Sequence, residues 1–235
     1  MRRSTVGVSF GGSGDSVDAL IARAEAHDPE RVVRLLEPMV TEPRRRRLRE
    51  VIANRLASVT VVFDRPYDPH NGAAILRSCE AFGVQHLHVI ERPGVRFALA
   101  RSVARGAEKW VDVVRHQSSG SALAWAESAD IALVGADPGG ELVPEDLRAL
   151  PRIGLVVGNE REGIAPDLLA ACAARVRVPM RGFIESLNVS VTAAILVHAA
   201  TLGRSGDLDA ATRLRLYARG LYLSVVHAEE VLAAT

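Results

Sequence analysis

The most informative segment of this chain reads Val178-Pro-Met-Arg-Gly-Phe-Ile-Glu-Ser-Leu-Asn-Val-Ser-Val191. It begins as an extended run that ends at Pro179, passes through a glycine-bearing loop and enters a helix rich in alanine and valine. Because that helix has no polar face, we expect it to be buried on nearly all sides. Ser186 and Asn188 are the hydrogen-bonding side chains at its start. One of them is a candidate for a simple N-cap, and both are candidates for contact with a ligand.

Two segments upstream have a matching character. Asp68-Pro-His-Asn-Gly-Ala-Ala-Ile-Leu-Arg-Ser-Cys-Glu-Ala-Phe-Gly83 predicts a helix, with Asn71 as its expected N-cap. The apolar stripe predicted to face the core consists of Ile75, Leu76, Cys79 and Phe82. Arg77 lies off that stripe, where it can reach a cleft. The other segment, Ile153-Gly-Leu-Val-Val-Gly-Asn-Glu-Arg-Glu-Gly-Ile164, predicts a buried strand followed by a polar turn.

In this order and spacing the three segments resemble motifs 1, 2 and 3 of the SpoU (TrmH) family of RNA ribose 2′-O-methyltransferases, over about residues 58–200. The resemblance implies a SPOUT-type fold whose C-terminal trefoil knot holds the cofactor, S-adenosylmethionine. It also implies a homodimer with the site at the subunit interface. The implied substrate is guanosine 18 in the tRNA D-loop, because ribosomal RNA relatives usually carry a separate N-terminal RNA-binding domain. Ribosomal RNA and the tRNA anticodon loop stay open as alternatives.

The resemblance also implies which residues form the site. The implied catalytic residues are Arg77, Asn71, Glu160, Ser186 and Asn188. The implied cofactor-binding residues are Gly135, Ala136, Gly158, Val178, Pro179, Met180, Ser186 and Leu187. A guanidinium is always protonated and is therefore a poor general base. We therefore expect Arg77 to orient the 2′-hydroxyl and stabilise negative charge, while the proton passes to an RNA phosphate or to solvent.

A net charge of +1 means that any RNA-binding surface must be a local patch. A helix predicted to start at Thr41 opens with four successive arginines, which spread around every face of the helix. Such a helix is either a solvated face or a phosphate-binding surface, and the motifs favour the second. The predicted RNA-binding residues are Arg44, Arg45, Arg46, Arg47, Lys109, Arg161, Arg213 and Arg215.

The rest of the chain predicts an α/β fold. Short β-branched runs alternate with helical segments, which indicates a parallel sheet covered on both faces. The predicted strands are residues 59–63, 85–90, 111–114, 131–134, 154–157 and 176–178. Three regions follow: residues 1–57 as a Gly/Ser-rich leader and basic helical extension, 58–203 as the knotted methyltransferase domain, and 204–235 as a C-terminal helical extension.

Composition and residue spacing also indicate the location of the protein, its need for a metal and its class of function. We see no secretory h-region and no apolar stretch near the roughly 18 residues of a membrane span. Cys79 and Cys172 have no metal-ligand spacing, so the sequence predicts a cytoplasmic protein without a metal. His70 is best interpreted as a helix-entry or packing residue. A nicotinamide enzyme is disfavoured because Gly-x-Gly-x-x-Gly is missing after a first strand. A catalytically idle RNA-binding SPOUT protein stays open, although all five motif residues are present.

Overall fold

The computed structural model describes residues 17–234, so the leader predicted for residues 1–16 lies outside the described residues. Strands and helices alternate through the middle of this range. The strands are β1 Leu56–Asp64, β2 Val84–Ile90, β3 Asp112–His116, β4 Ala132–Ala136, β5 Ile153–Val157 and β6 Ala174–Val176. The α-helices are α1 Val17–Ala26, α2 Pro29–Leu36, α3 Glu42–Ala53, α4 Pro69–Ala81, α5 Arg101–Ala104, α6 Ser119–Ser128, α7 Pro166–Ala170, α8 Val189–Thr201, α9 Ala210–Tyr222 and α10 Ala228–Ala233. Short 3-10 helices cover Glu37–Met39, Ala107–Lys109 and Pro144–Ala149.

The six strands of residues 17–234 form one parallel sheet in the order β3-β2-β1-β5-β4-β6. Helices α4 and α8 pack on one face, and α6 and α7 pack on the other. β1 and β5 pair in register from Val59 opposite Ile153, and both strands are almost entirely buried. The predicted parallel sheet with helices on both faces is therefore confirmed. The trefoil knot implied by the family resemblance stays a prediction.

The ends of three strands and one core residue were predicted wrongly. β3 ends at His116 and β4 at Ala136, each two residues beyond the predicted end. β6 ends at Val176 instead of Val178, because its neighbour β4 ends at Ala136, which pairs with Val176 and leaves nothing beyond it to pair with. Phe82 does not join the core stripe: it is the C-cap of α4, is partly exposed and packs edge-on against His198. The other three members of the stripe are fully buried.

Helices α1 and α9 are joined to β3 by a partly buried ion-pair network. Asp112 of β3 lies 2.7 Å from Arg215 and 2.6 Å from Arg219, and both arginines also bind Glu25 of α1. Burial opposes the ionisation of Asp112, but the two guanidiniums outweigh it and hold its pKa at about 2. Arg215 therefore has ion-pair partners within the fold, and its role in RNA binding stays a prediction.

A histidine pair is buried beneath α6. His88 of β2 is 1% exposed, and its Nδ1 lies 2.9 Å from Nε2 of His116 on β3. The His88 ring stacks on Trp125 with a centroid distance of 3.5 Å. Nε2 of His88 is buried without a hydrogen-bond partner among residues 17–234. Burial, followed by the neighbouring His116 and His86, lowers the pKa of His88 to about 3.

We expect this pair to make folding stability depend on pH. Because the pKa of His88 is lower in the folded chain than its unfolded value near 6.5, its contribution is full above that value and is lost as pH falls. The free energy of unfolding should therefore drop by roughly 2 kcal/mol between pH 7 and pH 5 from this group. Chemical denaturation of wild type and His88→Phe at both pH values measures it. Equal pH dependence in the two proteins would contradict the prediction, and His70→Gln, which removes an exposed histidine, is the control.

Candidate active site

A depression of about 940 Å³ lies at the carboxyl edge of the sheet, and we refer to it as the cofactor cleft because most of the predicted cofactor residues line it. It is formed by the loops that follow β4, β5 and β6, which is where parallel sheets bind ligands. The predicted cofactor residues that line it are Ala136, Gly158, Val178, Pro179, Met180, Ser186 and Leu187. Gly135 does not line it. Gly135 lies within β4, where a Cβ would meet the Leu169 side chain at 2.7 Å, so it serves packing beneath the cleft.

At Gly158 the wall of the cleft is formed by two backbone segments that lie very close to each other. A Cβ at this position would lie 2.1 Å from the carbonyl carbon of Gly163 and 2.3 Å from the nitrogen of Ile164. The next residue, Asn159, exchanges two backbone hydrogen bonds with Gly163, each 3.1 Å long. The Asn159 side chain is 5% exposed and accepts hydrogen bonds from the backbone nitrogens of Arg161 and Glu162. The loop after β5 is thus held rigid from within, a role for Asn159 that the sequence motif contained and we did not assign.

A chain of hydrogen bonds joins the three sequence motifs at the edge of this cleft. Nδ2 of Asn71 donates to Oε1 of Glu160, and Nδ2 of Asn188 donates to Oδ1 of Asn71 at 3.1 Å. Oδ1 of Asn188 in turn accepts from the nitrogen and the hydroxyl of Ser190, at 2.8 and 2.6 Å. Asn188 is therefore the N-cap of α8 and a member of the site at once. Both asparagine amides are fixed in orientation by these partners.

The expected cap of α4 was wrong. Asp68, and not Asn71, is the N-cap, and its carboxylate accepts from the nitrogen of His70 at 2.8 Å. This bond keeps the pKa of Asp68 below its usual value. Asn71 lies one turn further on and is 7% exposed. Its side chain forms hydrogen bonds with Glu160 and Asn188 instead. Asn71 therefore does not cap the helix. It is the central member of the hydrogen-bonded series Glu160, Asn71 and Asn188, which we refer to as the polar chain.

Arg77 lies apart from this cleft. It is exposed on α4 and lines a second depression of about 1200 Å³, together with Arg44, Arg105 and Lys109. Within residues 17–234 its guanidinium has neither a hydrogen bond nor an ion pair. Asn71 and Arg77 are six residues apart on one helix, which separates them by about 9 Å along the axis and turns them to different faces. Arg77 therefore does not line the cleft of its own chain.

Five of the other predicted RNA-binding residues are exposed: Arg44, Arg46, Arg47, Arg161 and Arg213. Arg44 donates to Ser224 at 3.3 Å and lies 5.9 Å from the Trp110 ring, while Arg45 pairs with Glu42 at 2.8 Å. In the described part of the chain, no group of three or more histidine, cysteine, aspartate or glutamate side chains is arranged to hold a metal ion. None of the helices in that part combines the length and apolar character of a membrane span.

Known proteins resemble this chain in sequence. The model of the SpoU rRNA Methylase family matches residues 58–198. A tRNA (guanosine(18)-2′-O)-methyltransferase of Aquifex aeolicus is 30% identical over 71% of this chain and 79% of its own length. The enzyme of the same name from Escherichia coli K12 is 31% identical over 66% and 67%.

Solved structures resemble this chain as well. The TrmH/SpoU tRNA modifying enzyme of A. aeolicus superposes with a TM-score of 0.70 at 27% identity, covering 79% of this chain and 98% of that one. The SpoU methyltransferase AviRb of Streptomyces viridochromogenes, solved in complex with the cofactor AdoMet, has a TM-score of 0.56 at 29% identity, covering 63% and 60%.

Proposed function

This chain belongs to the SpoU rRNA Methylase family, and on that premise we propose that it transfers a methyl group from S-adenosylmethionine to the 2′-hydroxyl of guanosine 18 in tRNA. The observation that carries the proposal is the hydrogen-bonded chain of Glu160, Asn71 and Asn188, which unites the three motifs beside one cleft. The choice of tRNA follows the names of the two curated relatives and the match to almost the whole of the A. aeolicus tRNA modifying enzyme.

The cleft fits the proposed cofactor. Its walls are largely backbone and apolar side chains, and the missing side chain at Gly158 lets the backbone of Gly163 and Ile164 pack directly against the start of this loop. When bound there, S-adenosylmethionine supplies an activated methyl group. Ala136, Pro179 and Leu187 would hold the adenosine part, and Ser186 with Asn188 would face the reacting end. No metal is needed for this chemistry, because the methyl group leaves from a sulfonium.

The polar chain has a positioning role in this proposal. Asn71 fixes one oxygen of the Glu160 carboxylate, so the other oxygen can accept a hydrogen bond from the ribose or orient an incoming guanidinium. Because both asparagines are oriented before the substrate arrives, little reorganisation is needed during the reaction. Arg77 is proposed to stabilise the negative charge that develops on the 2′-oxygen, and the proton passes to an RNA phosphate or to solvent.

A homodimer reconciles the position of Arg77 with this role. In one chain Arg77 faces the second depression, on a helix whose first turn holds Asn71. We propose that a second copy brings its own Arg77 to the cleft, so that the site is completed at the subunit interface. The proposed location of the enzyme is the cytoplasm, in keeping with a tRNA substrate and with the free thiols of Cys79 and Cys172.

The helices outside residues 58–203 are proposed to act together as an RNA-binding extension. Helices from both ends of the chain share one hydrophobic cluster, to which α2 and α3 contribute Leu36 and Leu48, and α9 contributes Leu216 and Leu221. Gly206, which precedes α9, packs so closely on the end of α3 that a Cβ there would lie 1.9 Å from the carbonyl oxygen of Ala53. The exposed arginines of α3 and the exposed Arg213 of α9 would then contact RNA phosphates.

The proposal is tested by methylation of an unmodified tRNA transcript with S-adenosylmethionine in the presence of EDTA, followed by mapping of ribose methylation. We expect one modified nucleotide, guanosine 18. A transcript with 2′-deoxyguanosine at that position is the matched control and should accept no methyl group there. Methylation of another tRNA position or of ribosomal RNA would replace the proposed substrate. Cofactor binding without methylation of any RNA would favour the idle RNA-binding protein.

A further inference from the structure

A second group of basic side chains lies beside the polar chain, around the ring of Tyr67. The guanidinium carbon of Arg92 lies 4.3 Å from the ring centroid, and that of Arg161 lies 4.4 Å from it. Nε of Arg92 also donates to the carbonyl oxygen of Pro66 at 3.2 Å. We refer to Tyr67, Arg92 and Arg161 as the arginine clamp. Cation–π contact with the ring holds both guanidiniums in place without neutralising either of them.

The arginine clamp occupies a defined place in the fold. Tyr67 follows β1, Arg92 follows β2 and Arg161 follows β5, and these three strands are neighbours in the centre of the sheet. The cofactor cleft lies over β5, β4 and β6. The clamp and the cleft therefore lie side by side along the same carboxyl edge, and Glu160, which lines the cleft, directly precedes Arg161. A cofactor bound in the cleft would leave the β1 and β2 side of the edge open, and the clamp lies on that side.

The charges around the clamp favour an anion. Within the described residues neither Arg92 nor Arg161 forms an ion pair with a carboxylate. The nearest acidic groups have other partners: Asp64 pairs with Arg65 at 3.2 Å, Glu162 lies 4.0 Å from Arg65, and Glu160 accepts from Asn71. Two positive groups held against one ring repel each other, so a bound anion relieves the repulsion. The planar fork of arginine matches the oxygens of a phosphate.

We propose that the arginine clamp binds a phosphodiester of the substrate RNA next to the target nucleotide and so sets the ribose against the polar chain. This inference rests on the proposed function, since it takes RNA as the substrate of the same site. Arg92 and Arg161 make the phosphate contacts. Tyr67 is a positioning residue that keeps the two guanidiniums at a fixed separation.

The test compares Arg92→Gln, Arg161→Gln and the double variant with wild type, using tRNA transcript as the probe. Each arginine should contribute through charge-assisted hydrogen bonds, so RNA affinity should fall about tenfold for each single variant. The slope of log affinity against log salt should become shallower by about 1 in the double variant, because one phosphate contact is lost. The KM for RNA should rise with kcat nearly unchanged at saturating RNA. Affinity for S-adenosylmethionine should stay at the wild-type value, which separates an RNA phosphate from the carboxylate of the cofactor.

Matched controls make the result specific. Arg148→Gln removes the same charge from an exposed position before β5, away from the carboxyl edge, and should leave KM and the salt slope unchanged. Tyr67→Phe keeps the ring and should behave as wild type, whereas Tyr67→Leu should weaken RNA binding. A wild-type salt slope and KM in the double variant would overturn the clamp. The slope is measured without turnover, so a tRNA that binds but is not methylated at guanosine 18 would refute the proposed function and still test the clamp.

Discussion

Arg77→Ala is expected to lower the rate of methyl transfer at least about a hundredfold, the usual effect of removing one electrostatic contributor from a preorganised site. The fold should survive, because the Arg77 side chain is exposed and makes no contact that the core needs. Cofactor affinity should survive as well, because Arg77 does not line the cofactor cleft. Arg77→Lys should restore little activity, since a point ammonium cannot bridge a phosphate and a hydroxyl as a planar fork can.

Single-turnover methyl transfer to tRNA transcript measures this effect. Arg105→Ala is the matched control, because Arg105 lines the same depression and lies outside the three motifs. It should retain most of the wild-type rate of chemistry. Near-normal single-turnover rates in Arg77→Ala would show that the family's catalytic arginine has no counterpart at this position.

The same variant tests whether Arg77 acts across the dimer. Arg77→Ala keeps an intact cleft, and a variant that cannot bind the cofactor keeps an intact Arg77. If each site takes Arg77 from the other subunit, a mixed dimer of the two has one site with both defects and one site with neither. After random exchange of subunits, activity should return to about a quarter of wild type. No recovery, in samples shown to contain mixed dimers, would assign Arg77 to the cleft of its own chain.

The sequence predicted the sheet well because its strands are continuous β-branched runs, and such runs fit a sheet that is buried on both faces. The ends of β3, β4 and β6 were each missed by two residues, since the end of a strand depends on where its partner ends and the partner is not visible from local composition. The choice of Asn71 as a cap failed for a similar reason. Asp68 and Asn71 are both good capping residues, and only the backbone at Asp68 decides between them.

The residues of the site were predictable from the sequence, but most of the contacts between them were not. Periodicity alone turns Asn71 and Arg77 to different faces of α4, so their separation followed from a spacing that the sequence already contained. Arg215 looked available because its partners, Glu25 and Asp112, are far from it in sequence. The arginine clamp was hidden for the same reason: its three residues follow three different strands, and only the order of the sheet brings them together.

Gly158→Ala is expected to raise the dissociation constant for S-adenosylmethionine at least about a hundredfold, which corresponds to roughly 3 kcal/mol. The added methyl group would lie 2.1 Å from the carbonyl carbon of Gly163 and 2.3 Å from the nitrogen of Ile164. Both atoms belong to the backbone, so no side-chain rotation can relieve the overlap. The loop must move instead, and it carries Asn159 and Glu160 with it. The cleft wall and the carboxylate held by Asn71 are then displaced together.

Calorimetry of cofactor binding compares this variant with Gly182→Ala, which lies in the loop before α8 and meets no atom within 4 Å of the added methyl group. Gly182→Ala should bind the cofactor with near wild-type affinity. Thermal unfolding of both variants separates a local change in the cleft from loss of the fold. If the folded Gly158→Ala protein bound the cofactor as wild type does, the cofactor would have to lie elsewhere than against the loop after β5. If Gly158→Ala does not bind the cofactor, it can serve as the cofactor-deficient partner in the mixed dimers. The result would also show that methyl transfer requires the rigid loop around Asn159.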